Sequence, residues 1–331
     1  MNANADPMNK QPLGRTGLNV SELAFGTDLI GSKIDQATSF SLLDFYVERG
    51  GNFLDTANIY ASWLPGCKGG ESETTIGSWV KQRRNRESLI LSSKLGFDYP
   101  DSRGGLTSRE IERECEKSLK RLQTDRIDLY YAHRDDVSTP LEETMEAFWR
   151  LSSSGKIRAI GASNLPVWRI AEADVVSELN EWSTYQVIQQ RYTYLRPRHG
   201  ADFGPQLFIS SEAKQFAAAH QIALVGYSIL LRGAYTRADR PVPDQFVGPD
   251  SNERISQLQS IAKEVGKTAN QVIVAWMRQS QPAVLPIIAG SHQEQLAENI
   301  DALALTLTDD QFQKLDTAGN PDVKRAWLQP T

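Results

Sequence analysis

Four residues in the first half of this chain have side chains that could carry chemistry: Asp55, Tyr60, Lys94 and His133. Asp55 follows Phe53-Leu54, where a buried strand should end. An acid there is costly unless a cation or hydrogen-bond donors meet it. Lys94 ends the run Leu89-Ile90-Leu91-Ser92-Ser93, otherwise too apolar to want a lysine, and is the natural counter-ion. Tyr60 lies five residues beyond Asp55, in a loop. A free phenol has a pKa near ~10 and yields its proton poorly at neutral pH, and a neighbouring ammonium is expected to lower that value. A phenol so tuned can protonate a carbonyl oxygen as hydride reaches the carbon, or remove the proton in reverse. His133 closes Asp128-Leu129-Tyr130-Tyr131-Ala132, and as a neutral imidazole it can donate a hydrogen bond to the same oxygen. A zinc site is not expected: the four His are dispersed without an H-x-x-x-H, and Cys67 has no paired cysteine.

These residues need elements that bring them together. Eight short apolar segments recur, each followed by a polar helical pattern: Glu22–Thr27, Asn52–Thr56, Leu89–Lys94, Ile127–His133, Ile157–Ser163, Tyr185–Arg191, Ala223–Ser228 and Val284–Ala289. Several are near-continuous apolar runs, as parallel strands covered on both faces require. Thr107-x-x-Glu110, Thr139-Pro140-x-Glu142, Thr268-x-x-Gln271 and Thr308-x-x-Gln311 fit capping boxes. Ile111, Cys115, Leu119 and Leu122 form one apolar helix face. The competitor, an open doubly wound sheet, wants a Gly-rich fingerprint, but the first strand ends Ala24-Phe25-Gly26-Thr27-Asp28. The pattern therefore predicts an α/β fold, a closed (β/α)8 TIM barrel over residues 12–331. The barrel is expected to be a single domain with extended strand-end loops, and Leu13 to Val20 reads as an N-terminal hairpin capping its bottom. In a barrel the strand ends converge on one mouth, which would join Asp55, Lys94 and His133.

Residues 1–11 are polar with no apolar h-region, so a disordered tail is expected and not a signal peptide. The formal charge of -5 has both signs spread along the chain, unlike a nucleic-acid or membrane-binding surface. The two cysteines suit a reducing cytoplasmic compartment. The expected partner is a small carbonyl or alcohol, and the choice between monomer and homo-oligomer is left open.

The constellation resembles the aldo-keto reductase superfamily over nearly the whole chain. Four motifs carry the resemblance in order: Leu13-Gly14-x-Thr16-Gly17-Leu18-x-Val20-Ser21, Gly51-Asn52-Phe53-Leu54-Asp55-Thr56-Ala57-x-x-Tyr60, Gly155 through Asn164, and Tyr227-Ser228-x-Leu230-x-x-Gly233. The resemblance implies an NAD(P)(H)-dependent oxidoreductase interconverting a carbonyl and an alcohol. Tyr60 would be its general acid/base, Asp55 and Lys94 the tuning pair, and His133 the substrate-oxygen donor. It also implies that Ser163, Asn164 and Gln189 bind the nicotinamide carboxamide, with Gln189 chosen over Gln190 by a Gln-x-x-Tyr spacing to Tyr192. Tyr227 would stack on the ring, and Gly26, Thr27, Ser228, Leu230 and Gly233 would line the cofactor path. At the adenosine end, Ala289, Ser291 and Gln295 stand where the family often has cations, while Gln295, Glu298 and Asn299 are available for adenine and ribose. Arg232 or a protonated His292 would compensate, so NADP(H) is placed only slightly ahead of NAD(H). A nucleotide-sensing regulatory subunit on the same barrel, like the potassium-channel beta subunits that resemble this family, is the alternative.

For the substrate, Trp63 in the loop Ala61–Glu71 is expected to stack on a flat or sugar-like ring. Tyr99, Arg103, Arg196, Arg198 and Phe203, on the segments Phe97–Gly105 and Leu195–Pro205, would give an aromatic and cationic lining. That lining points to a polar carbonyl compound such as a sugar.

Overall fold

A computed structural model describes residues 8–320, so the tail expected over 1–7 and the barrel's expected end over 321–331 lie outside the described residues. A hairpin of β1 (Lys10–Pro12) and β2 (Asn19–Ser21) comes first. Residues 8 to 11, read as tail, are instead in place: Lys10 and Gln11 pair with Ser21 and Val20, and buried Met8 donates its amide to Arg49 O at 2.9 Å. β1 is exposed along its whole length and gave no hydrophobic signal.

All eight predicted segments then form strands: β3 (Ala24–Gly26), β4 (Phe53–Asp55), β5 (Ile90–Leu95), β6 (Ile127–Ala132), β7 (Ile157–Ser163), β8 (Val187–Arg191), β9 (Ala223–Tyr227) and β10 (Val284–Ile288). They are parallel and close in the order β10-β3-β4-β5-β6-β7-β8-β9, a TIM barrel. The helices outside it are α1 (Gln36–Glu48), α2 (Glu71–Arg83), α3 (Ser108–Leu122), α4 (Leu141–Ser153), α5 (Val167–Leu179), α6 (Ser211–His220), α7 (Ser251–Val265), α8 (Ala269–Gln279), α9 (Gln293–Asp301) and α10 (Asp309–Thr317).

The strands are buried on both faces because two cores meet at them. Inside the barrel, Phe53, Leu129, Tyr131, Val187 and Val225 form one cluster, and Leu13, Leu18 and Val20 of the hairpin join it from below. Outside, the other strand face packs on the helices, with Ile111, Cys115, Leu119 and Leu122 of α3 presenting the predicted stripe. The hairpin is stitched to the strands' N-terminal side through Ser21 N to Asn52 Oδ1 (2.7 Å) and Gln186 Nε2 to Arg15 O (3.1 Å). It closes the bottom and leaves the mouth as the open end.

Thr268 and Thr308 form full capping boxes on α8 and α10. Thr107 caps α3 in one direction only, since the Glu110 carboxylate is taken by Ser102 and Arg113. Thr139 does not cap α4: its hydroxyl donates to Asp136 Oδ2 at 2.7 Å, and the helix starts after Pro140.

Candidate active site

Residue 55 lies beside residue 92 across the β4–β5 ladder, and Lys94 is two residues further on the same barrel-facing side. Asp55 is 1% exposed and Lys94 wholly buried. The cost of that burial is met by contacts on every side. Lys94 Nζ donates to Asp55 Oδ2 at 2.6 Å, Thr56 O at 2.7 Å and Tyr60 Oη at 2.8 Å. The other carboxylate oxygen, Oδ1, accepts from Ser92 Oγ at 2.8 Å and Gln189 Nε2 at 2.9 Å. Past β4 the chain stays on β5 through Asn58 N to Lys94 O (3.1 Å), then turns back through Tyr60 N to Ala57 O (3.2 Å). That turn brings the phenol to the ammonium on the neighbouring strand.

His133 follows β6, its amide held by Leu95 O at 2.7 Å. Its ring lies 6.1 Å from that of Tyr60, and Nδ1 is buried with no protein partner. Two aromatic walls flank the pair. Trp63, 53% exposed, presents an edge to Tyr60 at 6.1 Å, and Phe97 stands perpendicular to His133 at 4.8 Å.

The electrostatics differ from expectation in one respect. Burial first, then the carboxylates of Asp55 and Asp28, hold the Tyr60 phenol well above its ordinary value, so Lys94 does not bring it down. Burial lowers the Lys94 ammonium while Asp55 opposes the drop. Burial and Lys94 push His133 well below the usual imidazole range. The site at neutral pH therefore holds a protonated phenol and a neutral imidazole, a proton donor and a hydrogen-bond donor on one cleft.

Along the expected cofactor path, Thr27 pins the floor, its amide and hydroxyl both donating to Asp55 O (3.1 and 2.8 Å), and Gly26 pairs with Asp55. Ser163 ends β7 beside Gln189 of β8. Gln189 faces the barrel interior and donates an amide N–H to Asp55 Oδ1. Asn164, expected on the carboxamide, is already saturated. It donates to His133 O (3.0 Å) and Ser163 Oγ (3.1 Å) and accepts from Leu207 N (3.2 Å) and Tyr227 Oη (2.7 Å). Its backbone is left-handed at φ +59°, and the position ties His133, the Tyr227 ring and the 207 loop together. The Arg191 guanidinium sits 5.6 Å from the Tyr227 ring centroid.

Beyond β9, Ser228, Leu231, Arg232 and Gly233 all have positive φ, with half-buried Leu230 between them. Three of those four are not glycine, a strained loop of the kind found where backbone meets a ligand. The α9 N-terminus has no side-chain cap and follows the eighth barrel strand, the usual barrel position for a phosphate. Ser291 and Gln295 meet there, Ser291 N donating to Gln295 Oε1 at 2.9 Å. Two neighbours are engaged elsewhere. Glu298 Oε1 accepts from Thr268 of the α8 cap at 2.7 Å, and Asn299 is buried with Nδ2 on Ala289 O at 3.1 Å. His292 is taken by Glu294 (2.9 Å), while Arg232 is exposed with no ion pair among the described residues.

The lining expected for the substrate is only partly present. Tyr99 is 7% exposed, and its hydroxyl donates to Glu114 Oε2 at 2.6 Å, so it braces the loop and does not face the cleft. Arg196 pairs with Asp250 at 3.3 Å and Arg198 bonds Asp244 O at 3.1 Å, both directed at the neighbouring loop.

Three contributors were not singled out from sequence. Ser92 shares the Lys94 face by simple alternation, which was the available signal. Glu114, buried on α3, accepts from Asn58 Nδ2 at 2.7 Å, anchoring the Tyr60 loop. Asp28 follows the Gly26-Thr27 strand end. Among the described residues no group of three or more His, Cys, Asp or Glu could hold a metal ion, and no helix is long and apolar enough to cross a membrane.

The chain is 30% identical over 326 residues to norsolorinic acid reductase of Aspergillus flavus, covering 93% of this chain and 80% of that protein. It is 32% identical over 311 residues to the uncharacterized oxidoreductase YrpG of Bacillus subtilis, covering 89% and 91%. An aryl-alcohol dehydrogenase of Pestalotiopsis microspora is 28% identical over 326 residues, with 92% and 80% covered. Residues 22–320 match the aldo/keto reductase family, and this chain is a member of it: an oxidoreductase on a TIM barrel.

Proposed function

We propose that this enzyme reduces an aromatic aldehyde or ketone with NAD(P)H, NADPH slightly ahead of NADH, and that Tyr60 delivers the proton. The carrying observation is the Lys94 ammonium bonded at once to Asp55 and to the Tyr60 phenol, beside a neutral His133. When bound, the nicotinamide supplies the hydride. Tyr60 gives its proton to the carbonyl oxygen, and the Lys94 ammonium at 2.8 Å stabilises the phenolate left behind. An imidazole N–H of His133 holds the same oxygen and stabilises the charge developing on it. Trp63 and Phe97 favour a planar ring over a sugar, since Arg196 and Arg198 are spent elsewhere. The names of the relatives, a norsolorinic acid reductase and an aryl-alcohol dehydrogenase, support the same substrate class. Exposed Arg232 and the uncapped α9 N-terminus support binding of the cofactor phosphates.

Fluorescence titration with NADPH and NADH, followed by a panel of aryl aldehydes, aryl ketones and sugars, tests this reading. Sugars outperforming every aryl carbonyl would remove the substrate class, and absence of any cofactor binding would remove the reaction.

The pKa directions make a second test. Reduction needs both the protonated phenol and the Lys94 ammonium, so its rate should fall on the alkaline side as the phenol, held above its ordinary value, and the ammonium, held below its own, lose their protons. Asp55 is one of the charges raising both Tyr60 and Lys94. In Asp55→Asn both should titrate at lower pH, moving the alkaline limb of kcat/KM down. A limb that stays put or moves up would mean that Asp55 does not act on these groups.

A further inference from the structure

Glu114 is a wholly buried carboxylate on α3 that belongs to neither the proton-transfer set nor the cofactor path. Burying such a charge is costly unless donors surround it. Its Oε2 accepts from Asn58 Nδ2 at 2.7 Å and from Tyr99 Oη at 2.6 Å, and its Oε1 lies 2.9 Å from the Lys117 ammonium. Lys117 in turn donates to Asp101 O at 2.8 Å. Asn58 belongs to the segment between β4 and α2, and Tyr99 and Asp101 to the segment between β5 and α3. One carboxylate oxygen thus joins the two mouth loops that follow neighbouring strands. The loops also touch directly. A Cβ on Gly69, at φ +95°, would stand 2.7 Å from Tyr99 Cδ2, so the first loop lies against the ring that Glu114 holds in the second.

Each loop carries one aromatic wall of the cleft. Asn58 stands two residues before Tyr60 and five before Trp63, and Tyr99 two residues after Phe97. The rings run Trp63, Tyr60, His133, Phe97, each edge-on to the next at 6.1, 6.1 and 4.8 Å. The inner two are held from the strands: Tyr60 by Lys94 at 2.8 Å, and His133 through its amide on Leu95 O at 2.7 Å. The outer two ride on the loops. We propose that Glu114 is a positioning residue that fixes the spacing of the Trp63 and Phe97 walls, so that a planar substrate meets a gap already formed. This rests on the aryl-carbonyl reading above. Walls ordered in advance need not be ordered by the substrate, which strengthens binding and leaves the chemical step alone.

Steady-state reduction of a planar aryl aldehyde by the full chain with NADPH tests it, in wild type, Glu114→Leu, Glu114→Gln and Tyr99→Phe. Glu114→Leu should raise KM by ~10-fold with kcat within ~3-fold of wild type, the scale of two wall side chains that binding must now order. Glu114→Gln, which keeps an amide oxygen for Asn58 and Tyr99, should restore most of the KM. Tyr99→Phe keeps the ring on Gly69 and loses only its bond to the carboxylate. It should raise KM by less, and add nothing once Glu114→Leu is present. The NADPH dissociation constant, read by fluorescence, should be the same throughout. An unchanged KM in Glu114→Leu overturns the assignment, and so does a loss in kcat alone or a Tyr99→Phe effect that simply adds. If Glu114→Leu does not fold, an unchanged KM in Tyr99→Phe overturns it instead. Amide hydrogen exchange needs no substrate: protection over 57–70 and 97–106 should fall together in Glu114→Leu, and a loss confined to one loop overturns the join. A wild type that reduces no aryl aldehyde overturns the aryl-carbonyl reading, whereas an active enzyme with an unmoved KM overturns only the role of Glu114.

Discussion

Tyr60→Phe is expected to lower kcat for carbonyl reduction by ~10²- to 10⁴-fold, the usual worth of a positioned general acid, while leaving the cofactor dissociation constant nearly unchanged. The substitution removes one oxygen and keeps the ring. The ring contacts with Trp63 and His133, at 6.1 Å each, are therefore retained, and so is the shape of the cleft. Asp55 and Lys94 keep their 2.6 Å bond, so no buried charge is left alone. What goes is the protonated phenol bonded to the ammonium. Because the phenol is held above its ordinary value, it is a full donor at neutral pH in the wild type, and the loss should not depend on pH below about pH 9. Cofactor titration and steady-state reduction of one aryl aldehyde decide the matter. Turnover within tenfold of wild type would take the proton-donor role away from Tyr60. Lost cofactor binding would show that the phenol served the pocket and not the chemistry.

The barrel was legible because each strand is a buried apolar run and each helix an amphipathic stretch, and these periodicities differ. All eight segments were found, with ends within two residues of the observed strands. The candidate site was legible for a related reason: Asp55, Lys94 and His133 are polar residues at the ends of apolar runs that have no structural need of them. What failed was whatever depended on a partner distant in sequence. Asn164 looked like a ligand-binding amide, but all its capacity is used by His133, Ser163, Leu207 and Tyr227, contacts that no spacing announces. Tyr99 sat in the right segment, yet turns to Glu114. The Tyr60 shift runs opposite to the expected direction because burial and the Asp55 carboxylate of the tuning pair act on the phenol as well as the ammonium. Lys94 comes with the carboxylate it neutralises, so its pull on the phenol is offset, and burial then dominates.

The second large effect concerns that ion pair. Lys94→Met is expected to destabilise the protein by ~3–5 kcal/mol and abolish turnover, because it leaves a buried carboxylate without its counter-ion. Asp55 would keep Ser92 and Gln189 on Oδ1, but Oδ2 would retain only the long 3.4 Å contact from Tyr60, and Thr56 O would lose its donor. Removing the charge as well should undo most of this. Lys94→Met/Asp55→Asn is expected to recover ~2 kcal/mol or more relative to the single variant, a coupling of the size seen for contacting charged groups. Urea unfolding of wild type, both single variants and the double variant gives the cycle, with an unchanged m-value as the check on two-state comparison. Additive losses would mean that the two side chains do not depend on each other. Recovery of stability without recovery of turnover separates two reasons for burying charge. A methionine packed beside a neutral amide can satisfy the core, since a buried pair seldom outperforms well-packed neutral side chains. It cannot hold an ammonium 2.8 Å from the phenol. On that outcome Asp55 lies at the barrel mouth to keep Lys94 charged for Tyr60, and the fold accepts the pair for that chemistry.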